Sequence, residues 1–321
     1  MLTVDTTLPG PWALPWGAGP AHQVQLTSVA GYFCPERELS MHVPRLSTLA
    51  RAAGLGVALV VAIPIAPVAA GTAAKCGDTM ISDIILANDL LDCAGDGLVV
   101  GANDITIDLN GHTVDGSGSL KSAGIRIQGY SGVIVKGGIV REFGRGIWLI
   151  NAVDNQVLGN TIENSAEEGV FADKKSGGAL VEGNKIIGNG IDPVSTWADG
   201  IDAQSYGATI RGNTVNNSRD DGIDANGNDV TIENNTMDGN GSNGIDVDGV
   251  NTTIHMNTGT NNGHDGIGGG LEADKVTLKG NITNNNRNLG INFKRGHVVD
   301  GGNNKAAGNA DPRQCLPVKC A

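Results

Sequence analysis

A glycine followed by a β-branched residue returns along this chain at Gly124, Gly146, Gly169, Gly200, Gly222, Gly244, Gly266 and Gly290, at intervals of 22, 23, 31, 22, 22, 22 and 24 residues. The follower is Ile125, Ile147, Val170, Ile201, Ile223, Ile245, Ile267 or Ile291. A second mark keeps step with the first: Asn160, Asn184, Asn213, Asn235, Asn257 and Asn281, each preceded three residues earlier by Val157, Val181, Ile210, Ile232, Ile254 or Leu278. One unit of about 22 residues cannot bury its own apolar side, but stacked units bury it continuously. Short alternating runs broken by Gly and Asn predict two or three strands per unit. In-register stacking, about 4.8 Å per layer, turns the Ile column and the Val/Ile column into two inward ladders. The Asn column suits tight turns, because Asn tolerates left-handed backbone and its amide can bond the neighbour in the stack. Short strands, dense Gly and β-branched residues exclude a helical solenoid. Aromatics are only 3 % of the chain, which a narrow aliphatic core does not need.

These residues resemble the right-handed parallel β-helix repeat proteins of the pectate-lyase-like superfamily, over about residues 81 to 310. Ile105-Thr106-Ile107-Asp108-Leu109-Asn110-Gly111-His112-Thr113 looks like the first full coil of bacterial members. The expected fold is therefore all-β, a right-handed parallel β-helix solenoid of about ten 22-residue coils. The resemblance implies that the segment Cys76 to Cys93 caps the open N-terminal end, as an exposed coil edge requires. It leaves the reaction open, since the superfamily holds lyases, hydrolases, epimerases and adhesins.

Three segments are expected. Residues 1–40 read as a doubtful N-terminal extension, Pro-rich and without the repeat. Residues 41–74 read as a signal peptide: Met41, His42, Arg45 and Arg51, then an apolar run, then small residues at Val68-Ala69-Ala70 and Ala73-Ala74. Residues 75–321 form the β-helix. The expectation is a secreted, monomeric protein with bacterial-type export and no membrane span after cleavage. Cys34 falls in the leader; the four cysteines left lie at the two ends, which in an exported chain suggests local disulfides Cys76–Cys93 and Cys315–Cys320. Net charge is −12 with no Lys/Arg cluster, which argues against nucleic acid as partner.

Stacking also turns columns into surface ladders. Two residues after the repeat Gly the side chain should face outward: Arg126, Trp148, Phe171, Asp202, Asp224, Asp246, Gly268, Asn292. The residue before the Gly runs Ala123, Arg145, Glu168, Asp199, Asp221, Asn243, Asp265, Leu289. Two carboxylates about 5 Å apart repel by roughly 3 kcal/mol at an effective dielectric of 20. A cation, a shared proton or flanking Lys and Arg must offset this, unless the face is merely solvated and its Asp residues cap turns. The long interval between Gly169 and Gly200 adds a loop with Pro193 and Trp197 directly before Asp199.

Asp199, Asp220, Asp221 and Asp224 are thus the candidate catalytic residues. Asp199 with the pair Asp220-Asp221 is similar to the three aspartates of polygalacturonase-type glycoside hydrolases, where one carboxylic acid protonates the leaving oxygen and a carboxylate activates water. This sequence departs from that pattern at Trp197-Ala198, at Ser242-Asn243-Gly244 and at Lys294-Arg295, and His264 stands one coil late. The other enzymatic route is a Ca²⁺-assisted lyase or epimerase, with Asp199, Asp221 and Asp224 as candidate Ca²⁺ ligands and Lys174, Lys175 or Arg145 taking the proton. Candidate substrate-binding residues are Trp197, Lys174, Lys175, Arg145, Trp148, Asp202 and Asp246. The expected ligand is an extracellular, acidic polysaccharide. A non-catalytic glycan-binding or cell-surface β-helix remains the alternative.

Overall fold

The computed structural model describes residues 71–195 and 198–321. The expected extension 1–40, most of the expected signal peptide, Cys34 and Trp197 lie outside them. The described chain is all strand, turn and bend. Three strands per coil build three parallel sheets. The first has eleven strands, from Asp78–Met80 through Ile201–Ala203, Ile223–Ala225 and Ile245–Val247 to Cys315–Leu316; the second and third have ten each. Every strand pairs with its counterpart one coil away, so the sequence repeat is the hydrogen-bonding register: Ile201 faces Ile223, Ile223 faces Ile245, and Ile210 faces Ile232.

Both expected ladders point inward. Ile125, Ile147, Val170, Ile223, Ile245, Ile267 and Ile291 are fully buried, as are Val157, Ile210, Ile232, Ile254 and Leu278. The third sheet supplies Val140, Ile162, Ile186, Val215 and Met237. No large aromatic cluster is needed, because the space between sheets is one aliphatic layer thick.

The Asn column works differently from expectation in one respect. Asn160, Asn184, Asn213, Asn235, Asn257 and Asn281 are buried, and each donates its backbone N–H to the Oδ1 of the next, at 2.9–3.1 Å, the last to Asn304. The left-handed residue is the one before: Gly159, Gly183, Gly212, Asn234, Met256, Gly280 and Asn303 all have positive φ. The Asn itself is a side-chain rung, satisfying buried backbone that the turn would orphan. A second amide ladder, Asn240–Asn262–Asn286–Asn309, runs along the other side of the third sheet.

The disulfides Cys76–Cys93 and Cys315–Cys320 are formed, near the two ends of the solenoid. Thr72 donates its N–H to Ile85 O at 2.6 Å and accepts from Ala87 N–H at 3.0 Å, so the chain joins the first coil from about residue 72. Among the described residues no helix is long and apolar enough to cross a membrane.

Candidate functional site

The outer face of the eleven-stranded sheet carries the expected column in register: Arg126 beside Trp148, Trp148 beside Phe171, then Asp202, Asp224 and Asp246 on successive coils. Strand alternation puts Ile201 and Ala203 inward and Asp202 between them outward. Yet Asp202 and Asp224 are only 3 % and 8 % exposed. Gln204 Nε2 donates to Asp202 Oδ2 at 2.9 Å, and one coil on Asn226 Nδ2 donates to Asp224 Oδ2 at 2.7 Å, so a polar side chain folds over each carboxylate. Asp202 Oδ1 is buried and has no hydrogen-bond partner among the described residues.

The turn column stands beside it. Asp221 N–H donates to Asp199 Oδ1 at 2.9 Å, Asn243 N–H to Asp221 Oδ1 at 2.5 Å, and Asp265 N–H to Asn243 Oδ1 at 2.9 Å. One oxygen of Asp199 and of Asp221 therefore has a turn-capping role that an Asn also fills. One carboxylate oxygen each from Asp199, Asp202 and Asp224 lie within 4.8 Å of each other, as do one each from Asp199, Asp220 and Asp221. Either trio could hold a cation. Asp199, Asp220, Asp221, Asp224 and Asp246 line one groove of about 400 Å³. Asp248 and Glu272 extend its acidic wall, and among the described residues Lys174 is its one cationic lining residue.

Burial and mutual repulsion set the charge state. Asp199 is pushed up to about 10, first by desolvation and then by Asp224, Asp221 and Asp202. Asp224 rises to about 8, again mainly by desolvation and then by Asp202 and Asp221. Asp221 and Asp202 rise to about 7 and Asp246 to about 6, each led by desolvation. Desolvation also raises Asp220. Carboxyls packed this closely in low dielectric cannot all ionise.

A model of the right-handed β-helix region matches residues 71–201 and 175–313, well over half of the chain. The chain belongs to that β-helix family. The β-helix is also similar to the solved alginate lyase from Paenibacillus sp. str. FPU-7, with 17 % identity, TM-score 0.50, and coverage of 77 % of this chain and 91 % of that one. It resembles the Dettilon tailspike protein at 15 % identity and TM-score 0.51, covering 74 % of this chain and 61 % of that one. At such identities the likeness is one of fold. No curated protein sequence matches the chain.

The β-helix brings Asp199, Asp202, Asp220, Asp221, Asp224, Asp246 and Lys174 into one neighbourhood. Lys175 is exposed in the same turn but does not line the groove. Arg145 is held internally, with Nε 2.6 Å from Glu168 and Nη2 2.7 Å from Glu167. Its guanidinium covers Trp148 at 4.5 Å, and Arg126 covers the same ring at 4.5 Å. Trp148 is thus covered by two cations rather than offered as an open platform. A smaller pocket of about 210 Å³, lined by Arg145, Glu168, Phe171, Asp202 and Gln204, adjoins the groove and shares Gln204 with it. Gln204, Asn226, Asp248 and Glu272 were not foreseen. The signal existed for three of them: Gln204, Asn226 and Asp248 each follow an outward Asp by two residues at the 22-residue repeat.

Proposed function

We propose that this β-helix is an exported enzyme that binds an extracellular polysaccharide along the aspartate groove and hydrolyses it by acid–base catalysis. One observation carries the reading. Asp199 and the neighbouring Asp220-Asp221 pair sit within 4.8 Å in an open groove, and their environments drive Asp199 far above Asp221. Pairs of titratable groups pushed apart in this way suit an acid and a base. Asp199, protonated at neutral pH, gives its proton to the glycosidic oxygen as the C–O bond breaks. Asp221, poised near neutrality, takes a proton from the water whose oxygen forms the new bond to the sugar carbon. Asp220 and Asp224 line the same groove beside them. The fold is one that an alginate lyase also uses.

A second reading is favoured by the trio Asp199, Asp202 and Asp224. With Ca²⁺ bound there, the groove would accept a uronate and Lys174 would stand near its ring, the arrangement of a lyase or epimerase. Export is supported by the two disulfides. Since Thr72 pairs within the first coil, signal cleavage at Val68-Ala69-Ala70 fits better than cleavage after Ala74.

The test is an activity screen on a polysaccharide panel with EDTA and with Ca²⁺. New reducing ends without ultraviolet-absorbing product, formed in EDTA, are expected. Unsaturated product that requires Ca²⁺ would replace the first reading by the second. Binding without any product would make the protein a passive glycan binder.

A further inference from the structure

Arg126, Trp148, Phe171 and Asp202 stand in register on four successive coils, about 4.8 Å per rung. Trp148 is covered by two guanidinium groups, but half-buried Phe171 lines the pocket of about 210 Å³ that adjoins the groove. The Arg145 guanidinium lies 5.0 Å from the Phe171 ring centroid, and the Trp148 ring stands tilted at 6.3 Å. The phenyl ring is therefore held in place by its neighbours, and its remaining surface is a rigid apolar patch in a polar pocket. The charges around it are paired internally. Arg126 donates Nε and Nη2 to Asp96 at 2.6 and 2.7 Å, and Nη2 to Lys121 O at 2.8 Å. Arg145 is held by Glu167 and Glu168. Desolvation raises Glu168 and lifts Asp202 to about 7, so Asp202 is divided between its two forms at neutral pH. A carboxyl accepts from a sugar hydroxyl when ionised and donates to one when protonated. Among the described residues Arg145 is the one cation lining this pocket, and it is already paired. The pocket thus offers partners for hydroxyl groups but no free cation for a uronate and no unpaired fixed anion for an ammonium.

We propose that Phe171 is a sugar-stacking platform, seating a neutral pyranose unit of the polysaccharide next to the unit held beside Asp199. The inference rests on the groove being the polysaccharide site. The C–H face of the sugar packs on the phenyl ring, and its hydroxyls meet Glu167 and Gln204 at the pocket wall. Gln204 lines the pocket and the groove alike, so one polymer chain can run from the first into the second. The rung from Phe171 to Asp202, about 4.8 Å, is close to the length of one pyranose unit. Asp199 belongs to the turn of that next coil, where its carbonyl accepts the Gly169 N–H at 3.1 Å. A unit on Phe171 therefore brings its neighbour in the polymer to Asp199. At this position the inference replaces the expectation of an acidic sugar.

Fluorine NMR of protein labelled with 4-fluorophenylalanine reads the contact directly. The exported chain keeps Phe143, Phe171 and Phe293, of which Phe143 and Phe293 are 0 % and 4 % exposed and serve as internal controls. The labelled protein is titrated with neutral gluco-, galacto- and manno-hexamers, with hexagalacturonate and with a glucosamine hexamer. At least one neutral hexamer is expected to shift the Phe171 resonance, identified by its loss in Phe171→Tyr, and to leave the other two in place. Phe171→Ala should weaken that hexamer about tenfold in titration calorimetry and raise KM with little change in kcat, while Phe171→Tyr stays within about twofold of wild type. A neutral hexamer that binds without shifting the Phe171 resonance, and equally well to Phe171→Ala, would overturn the inference while leaving the polysaccharide reading in place. Tighter binding of hexagalacturonate or of the glucosamine hexamer than of every neutral hexamer would do the same. Binding of none of these probes, nor of any polymer in the activity panel, would overturn both.

Discussion

Replacing Asp199 by Asn should make the protein more stable, by an amount that depends on pH. Asp199 is 2 % exposed and its carboxyl is pushed from 3.8 up to about 10. Between those values the folded chain holds a proton that the unfolded chain has released. Stability is therefore fully present below the ordinary carboxylate range and falls as pH climbs toward 10. At pH 7 roughly three pH units of that window have been crossed, and at about 1.4 kcal/mol per unit the cost is about 4 kcal/mol. Asn cannot titrate and so removes this term. Its own burial takes back part of the gain, leaving about 3 kcal/mol, or roughly 6–12 °C in melting temperature for a chain of this size. The substitution is geometrically mild. Asp199 Oδ1 accepts the Asp221 N–H at 2.9 Å, and Asn243 makes the same contact with Asp265 two coils later. The assay is thermal denaturation of wild type and Asp199→Asn by circular dichroism from pH 4 to pH 9, with EDTA present to keep cations away. The difference should be near zero at pH 4 and widen steadily with pH. A variant that melts lower than wild type at pH 7, or by a margin independent of pH, would refute the charge state assigned to this residue.

Three further outcomes follow from the geometry. Asp221→Asn should abolish turnover while leaving the circular dichroism spectrum unchanged, because the Asn243 N–H donated to Asp221 Oδ1 still finds an amide oxygen; retention of wild-type activity would remove Asp221 from the mechanism. Ile223→Asp should cost several kcal/mol and prevent recovery of folded protein, since Ile223 is fully buried between Ile201 and Ile245; normal yield and melting would show the ladder assignment to be wrong. Asn235→Ala should lower stability by about 3 kcal/mol in urea unfolding, as it strips the acceptor from both the N–H and Nδ2 of Asn213 and leaves them buried; a change under about 0.5 kcal/mol would deny the amide ladder its structural role.

The repeat was legible because each rung of the solenoid is one sequence period, so register could be read before any geometry. The Gly-Ile column, the Val/Ile column and both disulfides required only counting. The division of labour at the turns was not legible. A recurrent Asn is compatible with both a left-handed turn and an amide rung, and only the neighbouring Gly159, Gly183 and Gly212 show which residue takes the positive φ. The acidic columns could be placed in adjacent coils, but not their burial. That depends on Gln204 and Asn226 folding back over Asp202 and Asp224, a side-chain choice that strand alternation does not determine. Arg145 and Trp148 fell in the expected two columns and then paired with each other, while Glu167 and Glu168 reach the guanidinium across one coil.

Acid–base catalysis in this groove requires Asp199 to carry a proton at neutral pH while Asp221 beside it titrates near that pH. Carbon-detected NMR of the aspartate carboxyl groups, titrated in EDTA and assigned with Asp199→Asn and Asp221→Asn, reads both directly. The account predicts one carboxyl carbon, absent in Asp199→Asn, that stays protonated well above pH 7, and a second, absent in Asp221→Asn, whose midpoint lies near pH 7. Midpoints for both near the ordinary value of about 4 would contradict it.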